Sequence, residues 1–345
     1  MPHLRLIDEI TIVAGLGSAI SGYAQSLGID IKPIAKSLDI DPDVLQSMTA
    51  RVSLDRLCRL LETCATLADD DTFGLQCAGF LTPGATGPFG YGLMSAPTVR
   101  DYLKFVDEHL YYATNASDTQ LEFGEKFASL SWTFAPVIAK RDQYTDMSLA
   151  MAFNRLRQII GDEIDTLLVE LERPKPKNTN LFKKAFSKHI EYSRRINRVH
   201  VPVHLLDAVN PKGDIRLFTL MDLQCRAMRP EISSLSEQNF VSQVRRYMQM
   251  RMNERDISLE EISPYFSLSA RTFQRRLAEA GTNLNTLRDE VRREASHTLL
   301  TESELPIADI CYRLGYSAPS AFSRSVSRWF GMTPKALRES MSRNY

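Results

Sequence analysis

Apolar positions recur with a helical period over the first 80 residues of the chain. Asp41 and Ser53 stand where helix N-caps are expected, and the stripe after the second of them consists of Leu54, Leu57, Leu60 and Leu61. The uncharged run from Ile10 to Gly22 is too short to span a bilayer and predicts a buried helix. We therefore expect this region to be helical.

Alternation of polar and apolar residues replaces the helical period after the Gly/Pro-rich segment 82–99, which predicts a loop, and the helix that follows it. The stretch 119–136 predicts two strands around a Gly124–Glu125 turn, and further strands are predicted within 166–173 and 198–203. Helices are predicted near 143–161 and 181–190. Residues 80–225 thus form a mixed α/β unit with a small, largely antiparallel sheet.

The pattern breaks at Arg229-Pro230 and the serine-rich stretch after it, and only helices and turns are predicted beyond. We place an N-terminal domain at 1–228, a linker at 229–238 and a C-terminal domain at 239–343. The predicted fold class is α+β: a mixed α/β domain with a small antiparallel sheet, followed by an all-α domain.

The C-terminal domain contains an internal duplication. "SLEEISPYFSLSARTFQRRLAEAGTNLNTLR" aligns with "PIADICYRLGYSAPSAFSRSVSRWFGMTPKALR" at offsets of 48 to 50 residues. The matched pairs are Leu259/Ile307, Ile262/Ile310, Phe273/Phe322, Arg275/Arg324, Leu277/Val326 and Gly281/Gly331. Each copy predicts a short helix, a tight turn and a second helix, at about 258–280 and 306–330. This is the helix-turn-helix arrangement, in which the second helix can enter a major groove of DNA.

Each copy has a predicted buried face. Serine N-caps, Ser269 and Ser317, are expected to open the two second helices. In the second copy Gly315 suits a left-handed helix end. The expected buried residues are Phe273 and Leu277 in the first copy, and Ile307, Ile310, Leu314, Phe322, Val326 and Trp329 in the second.

Polar side chains remain on the opposite faces of the two second helices. They are Arg271, Gln274 and Arg275 in the first copy, and Ser320, Ser323 and Arg324 in the second. Arginine can hold guanine and glutamine can hold adenine through paired hydrogen bonds. Two helices in register, both bearing arginine, favour base recognition over a merely solvated surface.

The distribution of charge along the chain, rather than the net charge, agrees with DNA binding by the C-terminal domain. The 345 residues have 43% apolar and 24% charged residues and a net charge of zero, as in an ordinary globular protein. From Asn239 to Tyr345, however, 16 basic residues, 15 of them arginine, face 12 acidic ones. The five cysteines form no CxxC pair, which is typical of a reducing compartment and predicts a cytoplasmic protein.

The segment from Asn239 to Arg343 resembles the DNA-binding domain of the AraC/XylS family of bacterial transcription regulators. "LEEISPYFSLSARTFQRRLAEAG" and "PIADICYRLGYSAPSAFSRSVSRWFGMTPKALR" carry the resemblance. It implies two helix-turn-helix subdomains joined by one helix, at about Leu284 to Thr301, that place their recognition helices in successive major grooves of paired promoter half-sites. The implied base contacts are those six polar residues, and Pro319 can add only a shape or apolar contact.

Residues 20 to 210 look like the arabinose-binding-like regulatory region of a subgroup of that family, best in "TPGATGPFGYGLMSAPTVRDYL". The resemblance implies an unidentified small-molecule effector, a homodimer and contact with RNA polymerase, with activation as the commoner outcome. Aromatic side chains that can line an apolar effector pocket, or simply belong to the core, are Tyr91, Tyr111, Tyr112, Trp132 and Phe134.

Other chemistries find less support in the sequence. The Gly-rich stretch 84–92 lacks the Gly-Lys-Ser/Thr of a phosphate loop. His200 and His204 would share one face of a strand, but a metal site needs a third ligand. The alternative is an AraC-like module fused to an enzymatic or ligand-independent interaction domain, and for an enzyme the sequence offers no Ser/His/Asp or paired-carboxylate constellation. We therefore expect no catalytic residues, cofactor, metal or membrane partner.

Overall fold

The computed structural model describes residues 6–228, 237–253 and 257–342, and the chain folds into two units. The N-terminal unit comprises Ile10–Thr133 and Lys140–Arg229. The C-terminal unit comprises Pro230–Tyr345 together with two short segments, Met1–Glu9 and Phe134–Ala139. Most of the predicted linker lies outside the described residues, and its last two residues already belong to a helix.

The N-terminal unit is mainly helical. Ser53 accepts a hydrogen bond from the backbone N–H of Arg56 and Asp41 accepts one from Asp43, so both predicted N-caps are confirmed. Its α-helices are α1 (Gly17–Ser26), α2 (Ile31–Ser37), α3 (Leu54–Ala68), α4 (Phe73–Cys77), α5 (Gly87–Ser95), α6 (Val99–Ala113), α7 (Asp142–Ile160), α8 (Thr179–Ala185) and α9 (Ile215–Ala227). Short 3-10 helices span Ala14–Leu16, Pro42–Gln46, Ala78–Phe80, Gly161–Thr166 and Val203–Leu205.

Two predictions about the helices of this unit are wrong. The run from Ile10 to Gly22 is buried but is not one helix, because Thr11–Val13 forms a strand (β1) that pairs with Arg51–Ser53 (β2). The predicted loop 82–99 contains the helix α5. A Cβ at position 92 would lie 2.1 Å from Cζ of Phe105, so this glycine lets α5 and α6 approach closely.

A five-stranded sheet has the order β3-β4-β7-β5-β6. The strands are β3 (Ser117–Phe123), β4 (Phe127–Phe134), β5 (Leu168–Glu170), β6 (His189–Glu191) and β7 (Asn197–Pro202). β7 pairs antiparallel with both β4 and β5, whereas β5 and β6 are parallel. The predicted fold class is confirmed, with one parallel pair at the edge of the sheet.

The core of the N-terminal unit lies between the sheet and its helices. Phe153 of α7 packs against Phe186, with ring centroids 5.4 Å apart, and Phe186 packs against Phe182 of α8 at 5.7 Å. All three side chains are fully buried. Val169 and Val201 supply the sheet side of the same cluster. Burial of this apolar surface is the main stabilising term for the unit.

The C-terminal unit contains only helices beyond residue 237 in its described part. They are α10 (Glu237–Met250), α11 (Leu259–Tyr265), α12 (Ala270–Glu279), α13 (Leu284–Glu302), α14 (Ile307–Arg313), α15 (Pro319–Phe330) and α16 (Pro334–Ser342), and Leu6–Glu9 adds a 3-10 turn. Phe240, Phe266 and Phe273 form an aromatic cluster with centroids 5.2 to 5.6 Å apart. This cluster fixes α10, α11 and α12 around one core.

Candidate nucleic-acid interface

The first helix-turn-helix consists of α11 and α12. Ser258 and Glu261 form a reciprocal capping box at the start of α11. Ser269 accepts from the backbone N–H of Thr272 at the start of α12, as predicted. Between the helices Ser267 has φ +53°, a left-handed conformation that turns the chain sharply. The turn between the helices is therefore tight, and Ser269 satisfies the backbone N–H of Thr272 in the first turn of α12.

α12 has one buried and one exposed face. Phe273 is fully buried and Leu277 nearly so, whereas Arg271, Gln274 and Arg275 are exposed. Arg275 Nε lies 3.6 Å from Glu279 Oε1, one turn along the helix. The structure thus places the three predicted polar residues together on the outward side of α12.

The second helix-turn-helix consists of α14 and α15. Gly315 follows α14 with φ +76°, as its predicted role requires. The prediction of Ser317 as N-cap is wrong, because α15 begins at Pro319 with Ala318 as its N-cap and no side-chain cap. Proline at the first helical position has a fixed φ and lacks the N–H that a cap would satisfy. The start of the helix is therefore set by proline rather than by serine.

α15 repeats the division of faces. Phe322 and Val326 are fully buried, whereas Ser320 and Arg324 are exposed and Ser323 is partly exposed. Trp329, the last residue of the predicted buried stripe, is only half-buried. The six predicted polar residues thus lie on the outer sides of two equivalent helices.

The duplication in the sequence is also a duplication of local structure. Ile262 and Ile310 are both fully buried on the supporting helices. Gly281 and Gly331 end the two second helices with φ of +74° and +70°. Both copies therefore use the same buried positions and the same left-handed exit, while their outward residues differ.

α13 joins the two copies and agrees closely with the predicted joining helix. Leu287, Val291 and Leu299 are nearly or fully buried along one side of it. An open groove at its N-terminus is lined by apolar residues, among them Leu259 and Leu284, and by polar residues that the sequence did not single out, including Ser258, Asn283 and Arg288, beside Gln274. Ser258 and Asn283 are the N-caps of α11 and α13, and this residue type before each helix is the sequence pattern that could have located the groove.

The five predicted effector-pocket aromatics have different surroundings. Tyr111 donates a hydrogen bond to the carbonyl of Cys225 on α9, at 2.5 Å. The exposed Tyr91 and the buried Tyr112 approach the turn Gly84–Gly87, because a Cβ at Gly84 would meet the hydroxyl of Tyr91 and a Cβ at Gly87 would meet that of Tyr112. Trp132 packs against the sheet core, and Phe134 belongs to the C-terminal unit. Only the first three share one region, around α5, α6 and α9.

The two candidate histidines do not share a strand face, so that prediction is wrong. His200 lies in β7 and its Nδ1 is 2.8 Å from Ser129 Oγ. His204 lies in the 3-10 turn after the strand, which ends at Pro202. Proline has no N–H to extend the ladder, and the chain leaves the sheet there.

A cluster of ligand-type side chains occurs elsewhere, between α6 and α9. Glu108, His109 and Asp222 offer oxygen or nitrogen atoms within 4.8 Å of one another. Arg226 donates to Glu108 Oε2 at 2.6 Å and to Asp222 Oδ2 at 2.9 Å, and His109 Nε2 lies 2.7 Å from Asp222 Oδ1. Because a guanidinium already engages both carboxylates, we interpret this cluster as an ion-pair network joining the two helices.

All five cysteines are buried and unpaired. Burial raises the pKa of each thiol, to about 11 for Cys64 and for Cys225. A nucleophilic cysteine needs a lowered pKa and access to substrate. These thiols therefore have the properties of core side chains.

Two matched helix-turn-helix copies on one domain, preceded by a separate α/β unit, define a two-domain DNA-binding protein. A family model described as the arabinose-binding domain of AraC transcription regulator, N-terminal, matches residues 28–209, and a helix-turn-helix domain model matches residues 262–340. The chain belongs to the AraC family of transcription regulators. It is a DNA-binding transcriptional regulator, and neither matching model describes an enzyme.

Several known proteins align with nearly the whole length of this chain. The HTH-type transcriptional regulator VirS of Mycobacterium tuberculosis is 26% identical over 321 residues, covering 91% of this chain and 92% of that protein. The ornithine utilization regulator of Pseudomonas aeruginosa is 21% identical over 337 residues, covering 97% and 98%. The solved structure of CdpR from Pseudomonas aeruginosa is 18% identical, with a TM-score of 0.39 over 90% of this chain and 96% of that one.

None of the helices in the described part of the chain combines the length and the apolar character needed to cross a bilayer.

Proposed function

We propose that the C-terminal unit binds a bipartite site in double-stranded DNA, with α12 and α15 in successive major grooves. The observation that carries this proposal is the pair of equivalent second helices, each with a buried apolar face and an exposed polar one. An α-helix fits the major groove, and two helices about one helical turn apart contact the same side of the duplex.

Base recognition is assigned to the exposed residues of the two helices. In α12 Arg271, Gln274 and Arg275 offer donors and acceptors suited to guanine and adenine. In α15 recognition rests on Arg324, with Ser320 and Ser323 as shorter-range partners. Exposed arginines elsewhere in the unit, such as Arg293 of α13, supply the sequence-independent attraction to phosphate.

The N-terminal unit, in this proposal, binds a small-molecule effector and forms a homodimer. The region of α5, α6 and α9 around Tyr91, Tyr111 and Tyr112 is the proposed effector site, and Trp132 of the same unit is a further candidate. Effector binding would alter promoter occupancy by the C-terminal unit and the recruitment of RNA polymerase, with activation as the outcome. In this role the protein acts in the cytoplasm and is not an enzyme.

The test is the selection of bound sequences from random duplex DNA by the full-length protein at controlled salt, since phosphate contacts dominate affinity. We expect a recurring motif in two parts, separated by about one helical turn. Salt-sensitive binding without any motif would contradict the proposal, because a generic basic surface behaves in that way.

Substitution of Arg324 then assigns a base contact. Arg324→Ala should weaken binding by about 1–3 kcal/mol and relax the preference at one base position. The matched control is Arg293→Ala, which removes the same charge from the exposed side of α13. Any loss of affinity caused by Arg293→Ala should be the same for all sequences. If Arg324→Ala also weakens binding equally on all sequences, Arg324 contacts phosphate and not a base.

A further inference from the structure

One carboxylate on α13 holds two neighbouring side chains of α15. Asp289 Oδ1 accepts from Nη2 of Arg328 and Oδ2 accepts from Nε1 of Trp329, the latter at 2.9 Å. The Arg328 guanidinium also lies over the Trp329 ring, with Cζ 5.6 Å from its centroid. Two donors on consecutive residues fix the direction of the carboxylate better than a single ion pair, which at such an exposed position is worth little.

The position of Asp289 on α13 makes this contact a link between the two helix-turn-helix copies. The preceding residue, Arg288, donates through Nη2 to the carbonyl of Ile257, immediately before the first copy. Consecutive residues on a helix point about 100° apart. Arg288 and Asp289 therefore connect the same turn of α13 to different copies.

A second contact between α13 and the second copy lies one turn further along. Arg292 Cζ is 5.1 Å from the ring centroid of Tyr316, which precedes α15. That ring packs in turn on the fully buried Phe322, at 5.3 Å. The approach to α15 and its final turn are thus both attached to α13.

Asp289 neutralises an arginine of the second copy that has a carboxylate at the equivalent position of the first copy. Arg275 of α12 pairs with Glu279, but the equivalent positions in α15 are Arg324 and Arg328. These two arginines are four residues apart and so lie on one side of the helix. Asp289 neutralises the second of them and directs its side chain towards α13.

We propose that Asp289 is a positioning residue that fixes the rotation of α15 relative to α13, and so sets the spacing of half-sites that the protein accepts. This inference rests on the proposed bipartite DNA binding. One extra base pair rotates a half-site by about 35° and shifts it by about 3.4 Å. A recognition helix held at two ends cannot follow that change, whereas a helix released at one end can adjust to it.

The experiment measures the affinity of the full-length protein for three duplexes at one salt concentration. They carry the selected bipartite site with its natural spacing, with one base pair inserted and with one deleted. For the wild type we expect each altered spacing to weaken binding on the order of tenfold, because one helix loses its base contacts. Asp289→Asn and Trp329→Phe should each reduce this ratio to roughly threefold or less, mainly by improving binding at the altered spacings, to which the released helix can adjust.

Controls separate positioning from charge and from folding. Asp309→Asn makes the same charge change on the exposed side of α14 and should keep the wild-type ratio. Thermal unfolding of each variant shows that the unit remains folded. If Asp289→Asn and Trp329→Phe keep the wild-type ratio, Asp289 makes only a local surface contact and the inference is wrong. If the wild type itself accepts all spacings equally, the proposed bipartite binding fails before any variant is compared.

Discussion

The left-handed residues in the two helix-turn-helix copies allow a prediction in which paired substitutions have opposite signs. Gly331 ends α15 with φ +70°, and a Cβ there would meet no atom within 4 Å. Ser267 lies in the turn between α11 and α12 with φ +53°, and its side chain is exposed. We consider Gly331→Ala and Ser267→Gly.

The magnitude follows from backbone conformation alone, because neither substitution meets or loses a packed side chain. The left-handed conformation costs a residue with a Cβ roughly 1–2 kcal/mol. Replacing glycine by alanine recovers about 0.4–1 kcal/mol through the unfolded chain. Gly331→Ala should therefore lower the free energy of unfolding by roughly 1 kcal/mol, and Ser267→Gly should raise it by somewhat less.

The assay is urea unfolding followed by the fluorescence of Trp329 in a Trp132→Phe background, since these are the two tryptophans of the chain. With a urea dependence of about 1–3 kcal/mol per molar, the expected shifts of the midpoint are on the order of 0.5 M. Ser267→Ala is the matched control, because it retains the Cβ and removes only the hydroxyl.

Three results would refute the reasoning. If both substitutions shift the midpoint in the same direction, backbone conformation does not decide these positions. If Ser267→Ala stabilises as much as Ser267→Gly, the hydroxyl rather than the left-handed conformation is responsible. An unchanged midpoint for Gly331→Ala would show that the end of α15 relaxes without cost.

Two further predictions concern the N-terminal unit. Partial burial acts to raise the pKa of Asp222, but hydrogen bonds from Arg226 and His109 hold it below the usual 3.8. The stabilisation is thus complete above about pH 4 and lost as the pH falls through the lowered value. Asp222→Asn should flatten the acid limb of stability measured by urea unfolding, and an unchanged limb would contradict this. Arg173→Ala should destabilise by about 3–5 kcal/mol because it leaves the fully buried Asp146 carboxylate unpaired. A change of the urea midpoint equivalent to less than about 1 kcal/mol would count against that pairing.

The C-terminal unit was predictable from the sequence because its repeated apolar spacing is local. Ile262 and Phe273 of the first copy recur as Ile310 and Phe322 of the second at offsets of 48 and 49 residues, each within a short helix, and the structure buries all four. The start of α15 was not predicted, since serine and proline signals compete two residues apart and the fixed φ of Pro319 decides.

The N-terminal unit was harder because distant residues decide its local structure. α5 forms in a glycine-rich stretch, where Gly92 leaves the space that Phe105 of the neighbouring helix α6 occupies. β1 exists because Ile12 pairs with Val52, forty residues away. β6 has three residues and no alternation long enough to detect. Such elements depend on tertiary packing, which single-sequence periodicity does not contain.

The site itself was predicted as residue types on faces, but not as a connected network. Arg271, Gln274 and Arg324 are exposed where the helical spacing placed them. The Asp289 contacts join positions 39 and 40 residues apart, and no motif links them. Pairings at this range appear only once the helices are packed.

Because the two helix-turn-helix copies differ in their exposed residues, the protein should bind its DNA site in one orientation only. Its two copies share buried residues, but one presents Arg271, Gln274 and Arg275 while the other presents Ser320, Ser323 and Arg324. The proposed pair of half-sites therefore differs in sequence, and one chain on DNA has a distinguishable front and back. Reversing the site would reverse the order of α12 and α15 along the promoter, so orientation becomes part of the regulatory signal.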